Sequence, residues 1–119
     1  MRLLSVLSLA LVTAACAADT DERPAEFAYI ARAILVPSCG TATCHSARTQ
    51  REGVNLSSVA AVREELSKRA FAPQTGDPAD SELLFLLTTS GEKRMPVDSP
   101  LPQADIDLIE TWIIAGAPR

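Results

Sequence analysis

The chain has 119 residues, enough for one domain, with fifteen acidic against eleven basic side chains and a net charge of −4 at neutral pH. That balance excludes a nucleic-acid binder, which needs a basic stripe. Aromatic residues make up only 4 % of the chain, so the core is modest and a covalent staple or a cofactor is expected to support it.

The N-terminal stretch reads as a secretory signal peptide over 1–15. A basic start, Met1-Arg2, precedes an apolar run from Leu3 to Val12 and then small residues. The run is too short to span a bilayer, which takes roughly 20 residues. Thr13-Ala14-Ala15-Cys16 resembles a bacterial lipobox, with Thr13 where leucine is usual. Cys16 is thus the expected lipidation site, and 16–23 the linker that tethers a soluble domain, 24–119, to a membrane surface. The alternative is cleavage after Ala15-Cys16-Ala17, which discards the cysteine.

Four short helices follow in the pattern, divided by proline and glycine, and nothing alternates like a strand; the fold class is all-α. The first is predicted over 24–36, with Phe27, Ile30, Ala31 and Ile34 on one face and Pro37 as its stop. The second is predicted over 58–69, with Val59, Val62 and Leu66 inward. Its outer side carries the pairs Glu64/Lys68 and Glu65/Arg69. The third is expected to begin at Asp77-Pro78, an N-cap followed by proline at the first helical position, and to stop at Gly91. The fourth is predicted over 102–115, with Ile106, Ile109 and Ile113 in a stripe beside Trp112, ended by Gly116 and Pro118.

The loops hold the reactive residues. Cys39-Gly40-Thr41-Ala42-Thr43-Cys44-His45 contains both remaining cysteines and the only histidine. Two thiols can add across the two vinyl groups of haem, and a histidine directly after the second is placed to ligate the iron. The usual spacing is C-x-x-C-H; here four small residues separate the cysteines. A Cys39–Cys44 disulfide, a zinc site short of its fourth ligand, and a reactive thiol pair are the rival readings. In the second loop, Met95 is the only methionine after the leader. A thioether is a soft, neutral ligand for haem iron, and the following Pro96 keeps Met95 extended. The rival is that Met95 fills a gap in the core. Lys68 and Lys93 are poorer candidates for the same ligand position.

In order along the chain stand Pro37-Ser38-Cys39, Cys44-His45-Ser46, Gly53-Val54-Asn55-Leu56, Gly76-Asp77-Pro78 with Ser81-Glu82-Leu83, Met95-Pro96, and Trp112-Ile113 with Ala115-Gly116-Ala117. Together these resemble the single-haem class I cytochromes c, most closely the Planctomycete-type cytochrome c domains, over about residues 24–118. The resemblance implies a cytochrome c-like fold whose first and last helices cross near Phe27 and Trp112. It also implies one haem c clasped between the attachment loop and the methionine loop. The widened cysteine gap is the departure from the family pattern.

The expected protein is an exported, lipid-anchored electron carrier of the periplasm or cell envelope, not an enzyme, working with a redox protein partner. Cys39 and Cys44 bind the haem, His45 and Met95 the iron. The expected pocket wall is Leu56, Val59, Leu83, Leu84, Leu87 and Ile109. The alternatives are a haem-free surface lipoprotein stapled by a Cys39–Cys44 disulfide, and a small peroxidase with an open sixth site.

Overall fold

A computed structural model describes residues 21–68 and 71–119. The expectations for the leader, for Cys16 and for the Glu65/Arg69 pair involve residues outside that set. Among the described residues there are helices and turns and no strand, in keeping with the all-α class.

The first helix, α1, spans 27–39 and runs on past its predicted end. It joins an α-helical Phe27–Ile30, a π-helical Ala31–Leu35 and an α-helical Val36–Cys39. Pro37 was expected to stop it and does not. The Val36 N–H reaches back to the Ala31 carbonyl, one residue further than in an α-helix. This wide turn relieves the crowding that a proline ring imposes on the carbonyl four residues earlier. The extra residue also brings Leu35 onto the buried face beside Ile34. Helix α1 therefore delivers Cys39 in its last turn.

Helix α2 is Val59–Lys68. Ser58 Oγ accepts the Ala61 N–H at 3.1 Å and starts it. Val62 and Leu66 face inward as predicted, and Glu65 is buried with them. On the outer side Lys68 Nζ lies 2.7 Å from Glu64.

The predicted third helix is split in two. Asp77 Oδ1 accepts the Ala79 N–H at 2.9 Å and opens a single 3-10 turn, Pro78–Asp80. Ser81 then interrupts, with an extended backbone (φ −89°, ψ 109°). Its hydroxyl donates to the Phe71 carbonyl at 2.6 Å and accepts the Leu84 N–H at 3.2 Å, capping helix α3, Glu82–Thr88. A tertiary hydrogen bond to Phe71 thus decides where the helix begins. Its stop is Thr89, which is extended, and not Gly91. Gly91 instead opens a 3-10 turn, Gly91–Lys93, at φ +77°.

Helix α4 is Gln103–Ile114. Gly116 takes φ +92° beyond it. The Gly116 N–H bonds the Ile113 carbonyl and the Ala117 N–H the Trp112 carbonyl, which closes the helix end in a Schellman arrangement. Ile106, Ile109, Trp112 and Ile113 are buried. Trp112 Nε1–H donates to the Pro118 carbonyl at 2.9 Å, so the fully buried indole keeps a partner.

Helices α1 and α4 meet where the rings of Phe27 and Trp112 lie 6.4 Å apart, tilted by 41°. The Arg63 guanidinium of α2 covers the Phe27 ring, 4.3 Å from its centroid. Arg23 and Arg119 are strapped to this core. Arg23 pairs with Asp105 in the first turn of α4. Arg119 donates to the Leu66 carbonyl at 3.0 Å and to the Ala72 carbonyl. No helix among the described residues is long and apolar enough to cross a membrane.

The cap at Ser81 generates a test. Ser81→Ala should cost ~1–2 kcal/mol, because it strips a buried helix end of its acceptor. Ser58→Ala, at an exposed cap, should cost less than ~1 kcal/mol. Urea unfolding of the two variants measures both; equal losses would refute the role given to the Phe71 bond.

Candidate functional site

The loop between α1 and α2 folds back on itself. The Cys44 N–H bonds the Thr41 carbonyl and the His45 N–H the Cys39 carbonyl, both at 3.1 Å. These two bonds absorb the widened cysteine spacing as one closed turn. The chain then returns beside the loop, with the Leu56 N–H bonding the His45 carbonyl at 2.7 Å and the Arg51 N–H the Cys44 carbonyl at 3.1 Å.

Gly40 makes that return fit. A Cβ there would lie 2.3 Å from the Leu56 carbonyl oxygen and 2.8 Å from the Val36 oxygen. Both are backbone atoms that cannot swing aside, so the position is closed to any side chain. In the sequence Gly40 reads only as a small residue in a bulge.

His45 Nδ1 lies 3.1 Å from the Arg51 carbonyl oxygen. A carbonyl only accepts, so Nδ1 carries the hydrogen and donates it. In the neutral ring that fixes the tautomer with the lone pair on Nε2, the form of a metal-ligating histidine oriented by its second nitrogen.

The two thiols differ. Burial pushes the Cys39 thiol up to about 11, with the neighbouring Cys44 adding to the shift. The Cys44 thiol is lowered, chiefly by hydrogen bonds from the Thr41 and Thr43 hydroxyls. Both cysteines are free thiols.

The methionine loop is braced against α3. The Met95 N–H donates to the Leu86 carbonyl at 2.9 Å, the Arg94 N–H to the Gly91 carbonyl at 3.1 Å, and Arg94 Nη2 to the Val97 carbonyl at 3.3 Å. Met95 is half-buried.

A cavity of about 520 Å³ joins the two loops, and Cys39, Cys44, His45 and Met95 all line it. The structure brings together every site residue predicted within the described part of the chain. The volume lies within the ~300–1,000 Å³ usual for cofactor pockets. Of the expected wall, Leu56, Leu83 and Leu87 line the cavity. Val59, Leu84 and Ile109 pack into the core instead. Leu35, Val54, Leu66, Phe71 and Leu86 take part in the wall. Leu86 stands three residues from Leu83, a helical spacing that could have revealed it; Leu35 depends on the π turn and could not be read. Lys68 and Lys93 do not line the cavity, and the Lys68 ammonium is engaged by Glu64.

No protein-family model, curated protein or solved structure matches the chain.

The donor set and the lining fit a covalently held haem. Two thiols, one oriented imidazole and one thioether border a mainly apolar cavity. Zinc is a poorer fit, since no group of three or more His, Cys, Asp and Glu side chains converges among the described residues.

The thiol environments set an alkylation order in haem-free protein. At pH 8 iodoacetamide should modify Cys44 at least ~10-fold faster than Cys39, because the thiolate is the nucleophile and its population outweighs the higher intrinsic reactivity of the more basic thiol. Peptide mapping over a time course reads the order; equal rates would contradict the burial of Cys39.

Proposed function

We propose that the chain is an exported electron-transfer protein of cytochrome c-like fold, carrying one haem c. The observation that carries this reading is the gathering of Cys39 from the end of α1, Cys44 and His45 from the loop before α2, and Met95 from the loop after α3 around one cavity. Cys39 and Cys44 hold the haem through thioethers, and His45 and Met95 ligate its iron. Bound there, the haem supplies reversible one-electron chemistry.

The protein's own residues hold and shield the cofactor. The Arg51 carbonyl holds the His45 ring in its ligating tautomer. The Leu86 carbonyl holds the Met95 backbone. Leu35, Leu56, Leu66 and Phe71 exclude water from the cavity wall. At the mouth stand the exposed Glu82, Glu92 and Val97. Their charge and apolar surface support a redox protein partner with a basic docking face.

Expression of the full chain with cytochrome c maturation machinery, followed by haem staining of a denaturing gel, tests the reading. Haem should remain on the denatured chain. A haem-free protein with a Cys39–Cys44 disulfide would replace this reading by that of a stapled binding protein. In the loaded protein Met95→Ala should remove the weak far-red sulfur-to-iron band and open the iron to cyanide or carbon monoxide. It should also lower the reduction potential, since a neutral thioether favours ferrous iron. An unchanged spectrum with a lowered melting point would make Met95 a packing residue only.

We also propose that Cys16 is lipidated and that residues 16–23 anchor the domain to a membrane. Arg23 forms ion pairs with Asp21 and with Asp105, so the tether reaches the domain at the start of α4. Cys16→Ser should move the protein from the membrane fraction to the soluble fraction or stall its processing. A wild-type mature chain that begins at Ala18 without lipid would overturn the anchor.

A further inference from the structure

One residue of the cavity wall is out of character with the rest. Glu65 lines the cavity beside Leu66 and Phe71, yet it is 5 % exposed. A carboxylate at such depth is costly unless it is paired, and the ligation and attachment chemistry described above does not use it.

Among the described residues its pairing is partial. Glu65 Oε1 accepts the Asn55 N–H at 3.4 Å, near the long limit for a hydrogen bond. Its cationic neighbour is Lys68 Nζ at 3.6 Å, but that ammonium lies closer to Glu64, at 2.7 Å, and the Lys68 side chain is 52 % exposed. Both contacts come from donors, which suit a carboxylate. Among the described residues the compensating charge is therefore shared and set in solvent, whereas the negative charge lies inside the wall.

Other charges line the same cavity: Glu52, Glu82, Glu92 and Arg51. All four are exposed, so water and salt screen them over a few ångströms. Among the charged residues described in the lining, Glu65 is the one that solvent does not reach, so its field in the cavity is screened least.

We propose that Glu65 lowers the reduction potential of the haem below what the His45/Met95 ligand pair alone would give, by holding a buried negative charge in the cavity wall. The inference rests on the haem reading above. Ferric haem carries one more positive charge than ferrous haem. A neighbouring carboxylate therefore favours the oxidised state, and losing it favours reduction.

The test is a potentiometric titration of the haem-loaded full chain in low and in 1 M salt. Glu65→Gln keeps a carbonyl oxygen to accept the Asn55 N–H and removes only the charge. Its midpoint should move to more positive potential, the shift should persist in 1 M salt, and the far-red band should stay. Glu82→Gln should give a smaller shift that salt removes. A Glu65→Gln midpoint that is unmoved, that falls, or whose rise vanishes with salt would overturn the inference. If Glu65→Gln does not fold, Lys68→Gln at the exposed partner carries the test. Its midpoint should fall in low salt, and no change or a rise there would overturn the inference. Absence of covalent haem on the denatured wild type would overturn the functional reading and this inference together. A loaded protein with an unmoved potential would overturn this inference alone.

Discussion

The backbone of residues 54–56 lies against the turn that carries the two cysteines, and that contact exists only because position 40 has no side chain. The Leu56 carbonyl occupies the space a Cβ would fill, and the Leu56 N–H holds the His45 carbonyl from the same strand of chain. From this junction the site is assembled outward. Arg51 is placed to orient the imidazole. Val54 and Leu56 are placed in the cavity wall, and α2 starts where Glu65 and Leu66 can complete it. A Cβ at residue 40 would displace all of these at once, because the atoms it meets are main chain and move only with their neighbours.

The helices serve this junction by fixing its two ends. The π turn in α1 does two things that an ordinary helix could not. It buries Leu35 beside Ile34, and it lets the helix continue through Pro37 so that Cys39 emerges in the last turn against the cavity. Helix α4 supports α1 through Trp112 and Phe27. Burial of such large side chains is worth ~1.5–3 kcal/mol each, a substantial share of the stability of a domain this small.

The site combines two electrostatic requirements. A pocket suited to a large, flat cofactor needs apolar walls, and most of this cavity's lining surface is apolar. Glu65 breaks that pattern while also accepting the Asn55 N–H that joins the returning segment to α2. One side chain thus contributes to the shape of the wall and to the field within it. Coupling of this kind is expected where a small domain has few residues to spend on a site.

The sequence by itself determined the all-helical class, the inward faces of α2 and α4, and the residues of chemical interest. Each of these follows from local rules: helical spacing of apolar side chains, caps, and the scarcity of cysteine, histidine and methionine outside two loops. Glu65 shows where such rules stop. Its i,i+4 spacing from Arg69 and its charge read as an outer-face residue, whereas the fold buries it with Val62 and Leu66, where it accepts the Asn55 N–H. The tertiary structure likewise decided the passage of α1 through Pro37 and the division of the third helix at Ser81, whose hydroxyl answers to a carbonyl ten residues away. It also decided the meeting of Met95 with His45 at one cavity. Helix periodicity is a property of neighbours along the chain, whereas closure of a pocket depends on backbone contacts between segments far apart in sequence.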